Sequence, residues 1–269
     1  MDRLRFVSLA SGSSGNCYYL GTAGYGILID AGIGSRTIKK RLKVLGVPFE
    51  HIQAVFVTHD HVDHIKAVGT LGEKFLLPIY ATELTHKGID RSYGVTQQLS
   101  SSKKYIEKGQ SIQIIDFRVE AFAVSHDATD NVGFTIHYKG KRFTIATDLG
   151  HICASASEHI RLANYLVVEA NYDFTMLRNG YYPERLKQRI CGERGHLDND
   201  ETAAFLAKNY HAGLSHVFLC HLSKENNSPE IALQTISGSL VKSGVKVGEE
   251  VHVQVLSRSS MTELVVFEN

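Results

Sequence analysis

Short apolar runs of strand length, separated by turn residues, open the chain. LRFVSLA and CYYLG flank the turn-forming SGSSGN, and YGILIDAG follows. SRTIKKRLKVLG then places Ile38, Leu42 and Leu45 at helical spacing, with Ser35 as the expected N-cap and Gly46 as the stop. IQAVFVT is a continuous apolar run, the mark of a strand buried on both faces, and it ends at His59. Further strands are expected at LLPIYA, across SIQIIDFRVEAFAVS, and at NVGFTIHY and KRFTIATD, which meet at a Lys139-Gly140 hairpin turn. NYLVVEA and SHVFLCHLS read as two more buried strands, and helices are expected over 153–163, 183–191, 199–211 and 228–242. Strands dominate the first half, and helices alternate with strands in the second. This order predicts a single α/β domain over 1–269 with a large layered sheet core.

Composition changes the picture little. The chain has 269 residues, 43% apolar and 21% charged, with 23 glycines against four prolines, as expected of a globular protein with many tight turns. No apolar run is long enough to span a membrane. The N-terminal apolar stretch is too short for a secretory signal and reads as a first strand. The four cysteines, Cys17, Cys153, Cys191 and Cys220, are widely spaced, which points to reduced thiols and a cytoplasmic location. A net charge of +1 gives no global sign of nucleic-acid binding, so any such role must rest on local patches.

The chemistry concentrates in VFVTHDHVDHIKAV. Its core, His59-Asp60-His61-Val62-Asp63-His64, has the form HxHxDH, and imidazole and carboxylate together suit zinc or manganese. Four more residues stand where apolar strands give out: Asp30 after YGILI, His126 after EAFAVS, Asp148 after RFTIAT and His221 after SHVFLC. Strand ends on one side of a sheet are where sites are built.

In this order the motifs resemble those of the metallo-β-lactamase-fold hydrolases, over residues 30 to 221. The resemblance implies a four-layer αββα sandwich with two divalent metal ions. By that match His59, His61 and His126 would bind one metal. Asp63, His64 and His221 would bind the second, Asp148 would bridge them, and Asp30 would orient the ligand loop. Asp60, at the variable position of the motif, is not expected to be a ligand. A water between two cations deprotonates near neutral pH, so hydrolysis by a bridging hydroxide is the implied chemistry. Five imidazoles and two carboxylates suit zinc, manganese or iron alike.

Between Asp148 and His221, Glu169 ends a strand and His196 sits in a Gly-His turn before a helix capped by Asp198 or Asn199. This resembles the phosphodiesterase branch of the fold that includes the tRNA 3′-processing ribonucleases. There the histidine, supported by the glutamate, protonates the leaving oxygen. Only 72 residues lie between Asp148 and His221, too few for the inserted domain of the β-CASP nucleases. A closer resemblance, to the YycJ/WalJ-like subfamily, is carried by LASGSSGN, THDHVDHI, ATDLG, EANYD, YYPERLKQRI, GHLDN and CHLSKENN. It implies a 5′-to-3′ exonuclease acting on DNA, with a part in DNA repair. Tyr172 and Asp198 depart from that pattern, where histidine and serine are common. Two basic clusters, Arg36 to Lys43 and Arg185 to Arg194, are candidate phosphate contacts or solvated helix faces. SGSSGN is a candidate phosphate nest or a plain turn. A hydrolase of small or cyclic phosphodiesters and a metal-loaded binding protein without turnover are the alternatives.

Overall fold

The computed structural model of the protein describes residues 2–268. Its strands are β1 (Arg5–Ala10), β2 (Cys17–Gly21), β3 (Gly26–Ile29), β4 (Ile52–Phe56), β5 (Ile79–Ala81), β6 (Lys103–Tyr105) and β7 (Ser111–Ile114). They continue with β8 (Phe117–Ala123), β9 (Val132–Tyr138), β10 (Lys141–Ala146), β11 (Tyr165–Glu169), β12 (His216–Cys220), β13 (His252–Val255) and β14 (Val265–Val266). The helices are α1 (Ser35–Val44), α2 (Val62–Ile65), α3 (Glu83–Arg91), α4 (Ala154–Arg161), α5 (Phe174–Asn179), α6 (Glu184–Ile190), α7 (Asn199–Asn209) and α8 (Pro229–Lys242). No helix among the described residues is long and apolar enough to cross a membrane.

The chain divides into two compact units, one of Met1–Ile115, Ala128–Asn131 and Ser257–Asn269, the other of Asp116–Asp127 and Val132–Leu256. In the first, strands run in the order β14-β1-β2-β3-β4-β5-β6. Pairing is antiparallel from β14 to β3 and parallel from β3 to β6. Helix α1 lays Ile38 and Leu42 into a core with Leu28, Val55 and Val57, while its lysines stay outside. In the second unit the order is β13-β12-β11-β10-β9-β8. Here β8, β9 and β10 are antiparallel, and β10 to β13 parallel. Helices α4, α7 and α8 cover that sheet through Ile160, Leu206, Ile236 and Leu240. The uninterrupted apolar runs of β3, β11 and most of β12 follow from this placement, since parallel strands carry helices on a face and leave no position for solvent.

Helix starts are set by local chemistry. Asp198 accepts from the Glu201 N–H and caps α7, and Ser228 accepts from the Ile231 N–H and caps α8, with Pro229 in its first turn. At α1 the expected cap is displaced by one residue. Gly34 holds the N-cap position and Ser35 is the first helical residue, with no side-chain cap bond. The long apolar stretch expected as one strand divides into β7 and β8 at Ile115, which is left-handed with φ 52°.

Among the described residues, six other than glycine have left-handed backbone: Asp30, Leu76, Ile115, Lys139, Asp148 and His221. Ile115 and Lys139 sit in short turns, but Asp30, Asp148 and His221 follow strand ends and carry candidate site chemistry. Non-glycine residues accept this conformation at a cost of about 1–2 kcal/mol. Leu76 has φ 57° and is exposed, with no packing to offset the strain. Leu76→Asn, which tolerates this backbone far better, should raise stability by about 0.5–1 kcal/mol. A urea titration reads this as a higher midpoint with unchanged slope.

Candidate active site and metal ligands

Parallel pairing brings chemistry to one edge in each unit. In the first, β3 and β4 run parallel, so Asp30 and His59 leave the sheet on the same side. Asp30 is fully buried. Its Oδ1 accepts from the Thr58 N–H at 2.8 Å, and the Thr58 hydroxyl donates to its Oδ2 at 2.9 Å. His64 Nδ1 lies 2.7 Å from that same Oδ2. A carboxylate only accepts, so His64 carries its proton on Nδ1 and turns Nε2 outward as a lone pair. Burial pushes the Asp30 carboxyl up, and the contacts with His64 and Thr58 pull it back.

The Thr58 hydroxyl also lies 3.0 Å from His59 Nδ1 and accepts that N–H, freeing the opposite ring nitrogen for a ligand role. The imidazoles of His59, His61 and His64 cluster, with centroids 4.7 Å apart for His59–His61 and 4.0 Å for His59–His64. Asp60 points elsewhere, accepting from the Thr129 N–H and hydroxyl, the local hydrogen bonding expected of it.

In the second unit β10, β11 and β12 are parallel, so Asp148, Glu169 and His221 share an edge. His196 joins them from the turn before α7. One ligand atom from each of these four residues lies within 4.8 Å of the others. Glu169 is completely buried and accepts five donors, the longest contact being from the Asn171 amide at 3.5 Å. His196 Nδ1 at 2.8 Å and His221 Nδ1 at 2.9 Å share Oε1, while the Leu149 and Leu197 N–H groups reach Oε2 at 2.8 and 3.1 Å. Those donors fill the lone-pair directions of a carboxylate, so Glu169 orients imidazoles and is not itself placed as a ligand. Burial alone would raise its pKa. The charges and hydrogen bonds of His196 and His221 outweigh it and hold the carboxyl below the usual range. For His196 burial lowers the pKa and Glu169 raises it, and the carboxylate wins.

His126 donates from Nδ1 to the Gly195 carbonyl at 2.9 Å, and its Nε2 lies 3.7 Å from Asp148 Oδ1. Asp148 Oδ1 is 3.2 Å from His221 Nδ1. Five imidazoles, of His59, His64, His126, His196 and His221, are thus pinned at Nδ1 with Nε2 turned away from the pinning oxygen. Pinned imidazoles and buried carboxylates form a donor set that fits a divalent cation of the zinc or manganese kind.

Several expectations change. Half of the SGSSGN backbone donors are engaged within the protein. The Ser11, Gly15 and Asn16 N–H groups are spent on the Ser257, Gly12 and Asp63 carbonyls. The second basic cluster is largely committed within its own unit. Arg189 pairs with Asp127 at 2.7 Å, Arg194 donates to the His126 carbonyl, and Lys187 donates to the Arg178 carbonyl. Asp198 is the α7 cap, and Tyr172 bridges to it through the backbone. The link from Glu169 to His221 and the roles of Thr58 and Asn16 were not visible in the sequence. Only the sequence neighbourhood of Thr58, next to His59, hinted at its part.

The family model described as "Beta-lactamase superfamily domain" matches residues 25–221. The chain belongs to this superfamily. It is 35% identical over 252 residues to the exodeoxyribonuclease YycJ of Bacillus anthracis, covering 93% of this chain and 94% of that protein. It is 35% identical over 260 residues to the exodeoxyribonuclease WalJ of Streptococcus pneumoniae serotype 2 (strain D39 / NCTC 7466), covering 97% of each. The metallo-β-lactamase-fold protein YhfI of Bacillus subtilis shares the fold, with a TM-score of 0.71 at 16% identity over 97% of this chain and 99% of that one. The expected fold class, the metallo-β-lactamase-type αββα sandwich, is borne out, as are the resemblance to the YycJ/WalJ-like proteins and the reading of a metal-dependent hydrolase.

Glu169→Gln tests the orienting role directly. The amide nitrogen of glutamine cannot accept, so at least two of these donors lose their partner, at about 1–3 kcal/mol each. The variant should melt lower than wild type and bind less divalent metal, as read by calorimetry and by metal content after dialysis.

Proposed function

We propose that the protein is a two-metal phosphodiesterase that removes nucleotides from DNA in the 5′-to-3′ direction, acting in the cytoplasm. The supporting observation is the pair of imidazoles on Glu169 Oε1. One, His221, is presented as a ligand. The other, His196, is held beside it with its protonated form favoured. A hydrolase that cleaves amides with a good leaving group has less need of a second, proton-bearing imidazole. Expulsion of an alkoxide from a phosphodiester gains from one.

In this reading His59, His61 and His126 would hold one cation, and Asp63, His64 and His221 the other, with Asp148 as a further carboxylate ligand, an assignment that rests on motif order. Zinc, manganese and iron all suit the donor set. When bound, the metals supply an activated water and polarise the phosphoryl group. The residues do the rest. Asp30 and Thr58 hold His64 and His59 in the productive tautomer, and Glu169 does the same for His221. His196 carries a proton on Nε2 and delivers it to the leaving oxygen, while Glu169 steadies the resulting neutral ring through Nδ1. The names of the two curated relatives support DNA as the substrate.

End-labelled linear duplex DNA with manganese or zinc tests the reading. Wild type should release mononucleotides from 5′ ends. Asp63→Ala should release none. His196→Ala should be slower by about 10²–10⁴-fold with its metal content intact. Intact DNA alongside rapid cleavage of bis-p-nitrophenyl phosphate would move the substrate to small diesters. Full DNA hydrolysis by either variant would remove that residue from the mechanism.

A further inference from the structure

Asn16 ends the SGSSGN turn, and its side chain is completely buried. Its Nδ2 lies 2.9 Å from His64 Nε2, 3.2 Å from Asp63 Oδ2 and 3.2 Å from the Gly12 carbonyl oxygen. Tyr18 donates its hydroxyl to Asn16 Oδ1 at 3.4 Å, and that hydroxyl in turn is 2.9 Å from Ser11 Oγ. The main chain locks the same contact. The Asn16 N–H donates to the Asp63 carbonyl at 2.7 Å and the Gly32 N–H donates to the Asn16 carbonyl at 2.8 Å. Glycine is required at 32, because a Cβ there would stand 1.6 Å from the Asp63 oxygen.

The tautomer of His64 gives this contact its meaning. His64 donates its Nδ1–H to Asp30, so His64 Nε2 is a lone pair, and the only hydrogen that the 2.9 Å contact can contain belongs to the Asn16 amide. The same NH2 group reaches the Asp63 carboxylate. A carboxamide nitrogen, the electropositive end of its dipole, therefore lies between two atoms whose lone pairs would otherwise converge on a cation. An imidazole nitrogen has one lone pair and cannot serve both an N–H donor and a metal.

We propose that Asn16 is a placeholder for the cation. Its amide gathers Asp63 Oδ2 and His64 Nε2 while no metal is bound and releases His64 when one enters. The proposal rests on the reading of Asp63 and His64 as ligands. It has a thermodynamic signature. An interaction made only in the metal-free protein stabilises that state alone, so it weakens apparent metal affinity rather than strengthening it. A residue that merely braces the fold would stabilise both states equally.

The experiment compares chelator-stripped and zinc- or manganese-loaded wild type, Asn16→Ala, Asn16→Asp and Asp63→Ala by thermal melting and by competition with a chromophoric chelator. Losing these buried hydrogen bonds should lower the metal-free melting temperature of Asn16→Ala by about 2–8 °C. Its loaded melting temperature should fall by less, since only the His64 contact is confined to the metal-free state, and its metal affinity should be up to about tenfold tighter. Asn16→Asp sets a carboxylate against Asp63 without a donor, so its metal-induced rise in melting temperature should exceed that of Asn16→Ala. Equal losses in both states, or weaker binding in Asn16→Ala, would overturn the placeholder role. Undiminished metal binding by Asp63→Ala would instead overturn the ligand assignment beneath it.

Discussion

Everything chemical in this protein depends on buried carboxylates that accept imidazole N–H groups. Asp30 and Glu169 are the two examples, each fully buried, each at the end of a strand or just past it, and each taking hydrogen bonds from imidazole and from backbone N–H. An isolated buried carboxylate would cost several kcal/mol and would protonate. Here the donors make ionisation tolerable, and the ionised form in turn dictates which nitrogen of each histidine bears hydrogen. For His64, His196 and His221 the ring orientation and the nitrogen that holds hydrogen are consequences of where those two carboxylates sit.

Sheet topology puts them there. Parallel neighbours align their carboxyl-terminal ends, so residues far apart in sequence leave the sheet along one edge, as Asp148, Glu169 and His221 do at the ends of β10, β11 and β12. Left-handed backbone at Asp30, Asp148 and His221 then turns the chain at once. The strain is borne at just the positions where a longer loop would place the side chain less exactly.

The sequence made the strands legible because buried parallel strands are written as unbroken apolar runs, and it made the ligand candidates legible because each follows such a run. It concealed α3, whose nine residues ELTHKGIDR include only two aliphatic positions, and the division of β7 from β8, where an isoleucine takes the left-handed turn that glycine or asparagine usually marks. Side-chain partnerships were hidden for a different reason. Asp30 and Thr58 are 28 positions apart, Glu169 and His221 are 52 apart, and no local pattern encodes either distance. Asn16 was obscured by its setting, since SGSSGN has the composition of any turn. The basic run Arg185 to Arg194 reads in the sequence as positive charge alone, which does not reveal that Arg189 and Arg194 are engaged by Asp127 and the His126 carbonyl.

The pairing of β14 with β1, Arg5 against Val266 and Phe6 against Val265, joins the first and last strands of the described residues. On the ribosome, β1 emerges more than two hundred and fifty residues before its outer neighbour. Its edge therefore stays open until Val265 and Val266 have left the exit tunnel, and the first unit closes only then. Birth order and sheet order run in opposite directions here, which makes assembly of this unit a late event whatever the speed of its individual strands.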